Sequence, residues 1–445
     1  MVRRDHSPAR RLAGRSPSRL TAGLVALLTA LATLAGTAQA RAADTGVPKN
    51  APNGHYHRQR LLHSPVHSTR PGTPGGQLTG AQPTFRPPGQ QPPTSSRSPL
   101  GRAPITGPDL ITVDECRGQD AAFQGQGWGK SRFASCQAEN LTVLNEDCFL
   151  FICETVGTAT VEITDIQYTR NALREADVVQ VFNNWQLDGD IAELPLSADV
   201  TCKAADGFGP CTVVDGFGGP NIETVGQWAA EGSVTSRYYS FSQPDSAGVS
   251  PSQISYAALS WHFALIGGKP GADHADGPDS RFRCDAAPYL VNTYAGEGCV
   301  FPWVTETVRF YASDTPESAA HIITAQFHPD QTEPPRVGKV IPGAPGTAPL
   351  HRTADGTLID AHRATAVNAC NTYFPGYAAH GLDCDEYPFA STVEGADDNL
   401  QNYSVDPIDD SDNRSAGGIL GAFYTGRRIL GADETNDPFY VTVAP

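Results

Sequence analysis

Ten cysteines restrict the fold of this chain more than any other feature. They are Cys116, Cys136, Cys148, Cys153, Cys202, Cys211, Cys284, Cys299, Cys370 and Cys384. The number is even, and the spacings fit no zinc ribbon or finger. Pairing of nearest neighbours closes five short loops, although spacing alone leaves the connectivity open. The N-terminus speaks for their redox state. Arg3, Arg4, Arg10, Arg11, Arg15 and Arg19 precede an apolar run over 20–36, and Thr37-Ala38-Gln39-Ala40 ends on small residues. That order reads as a secretory signal peptide over 1–40, cut after Ala40. An uncleaved anchor is the alternative, because the run is nearly long enough to span a bilayer. Cysteines of an exported chain are oxidised, so none is expected to act as a nucleophile. The mature protein is expected to be extracellular, with no stable membrane association.

At 445 residues the chain exceeds one ordinary domain, and about two or three are expected. Residues 41–110 are rich in Pro, Gly, Ser, Thr and Gln and poor in bulky apolar side chains. Such a stretch buries too little surface to offset its ordering entropy, which predicts a disordered linker. His55, His57, His63 and His67 lie in it, too loosely spaced for a metal tract and so read as solvated. Residues 111–300 read as a β-rich domain of unassigned role. Positions 161–168 alternate apolar and polar, 178–185 do so in part, 255–265 is a mixed aromatic and apolar run, and Gly-rich turns intervene. This predicts a sandwich or related β architecture. Trp128, Trp185, Trp228 and Trp261 are placed in its core rather than along a carbohydrate groove.

Residues 301–445 form a third unit. A strand is expected over 304–312. A helix then follows Thr315 as cap, with Pro316 at its first position and Glu317 in its first turn. Further helices are expected over 361–370 and over 415–423, the latter opened by Asp412-Asn413, and a closing strand over 439–443.

The chemistry concentrates at 384–395, Cys-Asp-Glu-Tyr-Pro-Phe-Ala-Ser-Thr-Val-Glu-Gly, and at Ser411-Asp412-Asn413-Arg414. Asp385 and Glu386 are adjacent carboxylates beside Pro388, and Glu394 is a third. Hard oxygens grouped this way suit a divalent cation and a water to be activated. Cys370 and Cys384 stand apart from the other eight cysteines, and their pairing would brace the entry to Asp385. The net charge of −16 argues against a purely electrostatic nucleic-acid binder. It does not exclude an enzyme in which a metal ion neutralises a phosphate.

Four stretches, in order, resemble the NucA/NucB family of secreted bacterial deoxyribonucleases. They are Pro316-Glu317-Ser318-Ala319-Ala320-His321-Ile322 with His328-Pro329; Asp385-Glu386-Tyr387-Pro388; Glu394-Gly395; and Asp412-Asn413-Arg414 through Gly417-Gly418 and Phe423-Tyr424. The resemblance implies a multidomain chain whose β-rich centre is followed by a small α+β nuclease domain of the ββα-metal type. It implies Asp385 as general base, where related nucleases use histidine, with Glu386 and Glu394 as assisting carboxylates. It places Asn413 and Asp412 at a divalent metal, Mg²⁺ or Mn²⁺, and Arg414 on a neighbouring phosphate, with DNA as substrate. His321 reads as a packed helix residue, and Arg427-Arg428 as backbone contacts or surface charges. One departure is the balance over 301–445, twenty acidic residues against eight basic ones. The rival reading is a calcium-stabilised secreted protein that binds a wall polymer or partner without catalysis. A nuclease toxin with an immunity partner is a third.

Overall fold

The computed structural model describes residues 55–64, 109–204, 211–216, 221–231, 234–243, 251–266, 273–290, 296–397 and 399–445. All belong to one compact unit, Ala40–Pro445. The expected signal peptide and most of 41–110 lie outside the described residues.

The first thirteen strands are β1 (His55–Ser64), β2 (Trp128–Ser131), β3 (Ala134–Phe149), β4 (Ile152–Thr169), β5 (Glu175–Gly189), β6 (Pro195–Ala204), β7 (Thr212–Gly216), β8 (Asn221–Thr224), β9 (Val234–Ser242), β10 (Ser255–Leu265), β11 (His274–Asp276), β12 (Ser280–Asp285) and β13 (Gly298–Val300). They build a seven-stranded sheet, β1-β3-β4-β5-β9-β7 with β2 also on β3, and a six-stranded sheet, β13-β12-β10-β6-β8 with β11 also on β10. Alternation puts Leu141, Val161, Ile163 and Phe182 of the first sheet against Leu196, Trp261 and Phe263 of the second, in one shared core. Trp228 and Trp261 are buried in it, while Trp185 and Trp128 pack at core margins. Two short helices, α1 (Val113–Arg117) and α2 (Val225–Ala230), accompany the sheets.

The linker expectation fails at β1. Residues His55–Ser64 pair antiparallel with β3 from Phe149 back to Asn140. Leu61 is buried in the shared core, its N–H donates to Asp273 Oδ2 at 2.6 Å, and Arg58 meets Glu146 at 2.6 Å. A partner strand as long as β3 supplies a hydrogen-bond ladder that composition cannot reveal. Five disulfides follow nearest-neighbour order: Cys116–Cys136, Cys148–Cys153, Cys202–Cys211, Cys284–Cys299 and Cys370–Cys384.

The C-terminal part runs β14 (Glu306–Tyr311), α3 (Pro316–Phe327), β15 (Leu350–His351), α4 (Gly356–Tyr373), β16 (Leu382–Tyr387), β17 (Ser404–Asp409), α5 (Asp410–Gly426) and β18 (Pro438–Ala444). In the middle of a three-stranded sheet, β18 lies parallel to β14 and antiparallel to β15. β16 and β17 form a separate antiparallel pair that leads directly into α5. Val308, Phe310, Ile322, Tyr387, Leu420, Phe439 and Val441 share its core.

Two helix starts differ from expectation. Asp409 caps α5 by accepting from the N–H groups of Ser411 and Asp412, so Asn413 is not the cap. Thr315 makes no capping bond through its side chain. The start of α3 is satisfied from α5 instead: Asp412 accepts from Glu317 N at 3.0 Å, Ser318 N at 3.1 Å and Ser318 Oγ at 2.6 Å. α4 begins earlier than its alanine pattern indicated, because Asp355 caps it at Thr357 N.

A buried ionic cluster joins the two halves of the unit. Arg283 Nη1 donates to both oxygens of Asp437, at 2.8 and 2.6 Å, and Arg132 Nη2 lies 3.0 Å from Asp437 Oδ2. Arg428 binds Asp285, Asn171 Oδ1 at 2.8 Å and Gly296 O at 2.9 Å. Arg428 is therefore an interior residue, 2% exposed, and not a surface charge. Its neighbour Arg427 pairs with Asp109 and Glu306.

Candidate active site

The disulfide fixes one side of β16. Cys384 is tied to Cys370 of α4, so the next residue, Asp385, turns toward α3. There it meets His321, whose Nδ1 lies 2.7 Å from Asp385 Oδ2 and whose Nε2 lies 2.7 Å from Ser404 Oγ on β17. All three side chains are buried. Burial opposes a charge on His321, yet the charge and hydrogen bond of Asp385, with Asp406 and Glu386 behind it, hold its pKa above the ordinary histidine value. Protonated, the ring donates at both nitrogens. It thus fixes one oxygen of Asp385.

Glu386 follows on the strand and accepts from Ala390 N at 3.3 Å. Burial first, then the charges of Asp385 and Asp383, push its pKa up to about 7 against the pull of Arg363. A carboxyl in that range exchanges protons near neutrality. Asn413, in the first turns of α5, donates Nδ2 to Asp383 Oδ2 at 2.9 Å, which leaves its Oδ1 to accept or to ligate.

Asp383, Asp385, Glu386, Asn413 and Arg414 line one cleft of about 610 Å³, with Arg352, Arg363, Tyr289 and Tyr424 on other parts of its wall. Two expected site residues are occupied elsewhere. Glu394 accepts from His351, at N 2.9 Å and Nδ1 2.8 Å, and does not line the cleft. Asp412 spends both oxygens on the start of α3 and does not line the cleft. Arg414 lines the cleft but is paired with Asp410 one turn away, at 2.7 Å, on an exposed helix face.

His321 is the packed helix residue that was expected, and the group it packs against is Asp385. Ser318, His321, Ile322 and Ala325 follow helical i, i+3, i+4, i+7 spacing, and all are buried. A histidine on a buried stripe needs a partner, and that signal could have pointed to it.

The donors remaining in the cleft are hard oxygens. They are Asn413 Oδ1 and the carboxylates Asp385 and Glu386, a set suited to Mg²⁺ or Mn²⁺, which keep several waters. Among the described residues the one group of three His, Cys, Asp or Glu ligand atoms close enough to share an ion is Glu146, Cys148 and Cys153. The two cysteines form a disulfide and offer no thiolate, so that group is not a metal site.

Carboxylates, an amide and arginines thus line one cleft. Residues 350–442 match the family of Deoxyribonuclease NucA/NucB, the family that the Asp385 and Asn413 stretches resemble. Residues 350–442 are accordingly similar to NucA/NucB nucleases, and the match supports a nuclease activity. The matched segment begins at β15 and ends within β18; it excludes β14, α3 with His321, and Tyr289. No curated protein and no solved structure matches the chain. Among the described residues no helix is long and apolar enough to cross a membrane.

Proposed function

We propose that the protein is a secreted, divalent-metal-dependent endonuclease that hydrolyses DNA phosphodiester bonds. The observation that carries this is the meeting of Asp385 on β16 with Asn413 on α5 in one cleft, within the matched segment. The succession β16-β17-α5 supplies two antiparallel strands and a helix, the order of a ββα-metal core.

Asp385 is the general base. His321 occupies its Oδ2, which leaves Oδ1 to take a proton from water. Ser404 and the α3 helix hold the imidazole, so the base is positioned before substrate arrives. Glu386, with a pKa near 7, is suited to return a proton to the leaving oxygen. Asn413 offers Oδ1 to the metal, and Asp383 orients that amide. When bound, Mg²⁺ or Mn²⁺ supplies charge neutralisation at the phosphate. Export is supported by five disulfides and by the basic-then-apolar N-terminus.

The test is cleavage of plasmid DNA by the purified protein with Mg²⁺ or Mn²⁺. Activity should vanish in EDTA, and Asp385→Ala should lower it at least 100-fold, in the usual range for loss of a catalytic base, with an unchanged circular dichroism spectrum. Full activity in that variant would remove Asp385 from the mechanism.

A further inference from the structure

Arg352 carries an inference that rests on the nuclease reading. Its guanidinium carbon lies 4.9 Å from the ring centroid of Tyr289 and 4.7 Å from that of Tyr424. Nη1 donates to Ile429 O at 2.9 Å, the one hydrogen bond of the guanidinium among the described residues. No carboxylate among the described residues lies within ion-pair distance of it. Arg414 pairs with Asp410, Arg427 with Glu306, and Arg428 with Asp285, and Arg363, which shares the cleft without an ion pair among the described residues, is exposed rather than half-buried. In a chain with 48 acidic and 32 basic residues, a half-buried guanidinium without a carboxylate is unusual.

The two rings hold the cation without neutralising it. The engaged nitrogen is Nη1, so the Nε and Nη2 edge remains, a fork whose spacing matches two oxygens of a phosphate. Arg352 lines the same cleft as Asp385 and Glu386. We propose that Arg352 binds a backbone phosphate of the polynucleotide beside the one that is cut, and that Tyr289 fixes it for this task.

Tyr289 belongs to the segment between β12 and β13, in the β-rich part and outside the matched family segment. Its hydroxyl is held in turn by Glu434 and by Gly431 N at 3.1 Å. The β-rich part therefore contributes a residue to the substrate groove, beyond any targeting task.

The experiment uses the full chain and two readouts. The first is fluorescence anisotropy of a labelled duplex oligonucleotide in EDTA, where nothing is cut, over a series of salt concentrations. Arg352→Lys keeps the charge and loses the fork; Tyr289→Ala removes one ring; Tyr289→Phe keeps it. Arg352→Lys should weaken binding roughly tenfold or more, the range of a charge-assisted bond. Arg352→Gln should also lower the salt dependence by about one counterion. Tyr289→Ala should weaken binding, and Tyr289→Phe should stay within about threefold of wild type by the ring-contact argument. The second readout is metal-dependent cleavage of the oligonucleotide and of bis(4-nitrophenyl) phosphate, which has no neighbouring phosphate. KM for the oligonucleotide should rise in the Arg352 variants by a clearly larger factor than any change on the small diester.

Wild-type affinity and salt slope in both Arg352 variants would overturn the proposal. So would an equal loss on both substrates together with a lowered melting temperature, which marks a structural role. A wild-type protein that binds DNA through Arg352 but cuts neither substrate would refute the nuclease reading alone.

Discussion

The cluster around Asp437 allows a sharp test of how the two halves of this protein depend on each other. Asp437 is 2% exposed and accepts two bonds from Arg283, one contact from Arg132 at 3.0 Å and the N–H of Leu430 at 3.0 Å. Burial disfavours its charge, but Arg132 and Arg283 hold its pKa down to about 2. Asp437→Asn keeps the shape and removes the charge, leaving two buried guanidinium groups facing each other with a neutral amide. Breaking a buried pair in this way costs about 3–5 kcal/mol, a large part of the roughly 5–15 kcal/mol that stabilises a typical domain. Urea unfolding should be followed by the fluorescence of Trp228 and Trp261, which sit in the β core, and in parallel by near-ultraviolet circular dichroism and loss of DNase activity. The midpoint should fall with little change in slope, and the tryptophan and activity transitions should shift together. The pH dependence has a definite sign. Because the folded pKa of Asp437 is depressed, its contribution is present above about pH 4, near the unfolded value, and is lost as pH falls toward 2; in the variant that acid limb should be shallower. A loss below about 1 kcal/mol, the size of an exposed pair, or a shift confined to one probe, would refute the view that this charge fastens the halves together.

Asp412→Ala removes the partner of two N–H groups at the start of α3 and should cost about 1–2 kcal/mol, as a helix cap does. A thermal melt checks it. Residual cleavage at a temperature where the variant is folded should exceed that of Asp385→Ala, because Asp412 acts through helix placement. Glu386 gives a third prediction. Its folded pKa is raised to about 7 from an unfolded value near 4.5, so it takes stability away as pH rises through that window. In EDTA, wild type should lose about 2 kcal/mol more than Glu386→Gln between pH 5 and 8, allowing for partial solvent screening. Equal losses would remove Glu386 as the titrating group.

Much of the fold was legible where periodicity was strong. The run 255–265 became β10 in full, and 161–168 lies inside β4, because alternation over a two-faced core leaves a clear trace. The five disulfides follow chain order, each closing a separation of 5 to 20 residues; Cys148–Cys153 and Cys284–Cys299 join residues already paired across neighbouring strands, and Cys116–Cys136 and Cys370–Cys384 tie a helix to a strand. Asp385, Glu386 and Asn413 were legible from motif and meet in the cleft. What escaped were roles set by distant partners. Asp412 sits in the same motif as Asn413, one residue earlier, and the helix turns it about 100° away, onto α3 rather than into the cleft. Glu394 was claimed by His351 across the loop. Arg428 looked like a surface charge beside Arg427, and only the approach of Asp285, 143 positions earlier, makes it an interior residue.

The position of β18 also sets an order of assembly. Its parallel pairing with β14 brings Val308 beside Val441, so the central strand of that sheet waits for a closure across most of the C-terminal part. Closures of such length are slow beside hairpin formation, which occurs between neighbours. The hairpin β3-β4, tied at its tip by Cys148–Cys153, needs no such wait. On refolding, the tryptophans of the β core should therefore become buried before the cleft acquires its walls, and cleavage should return last.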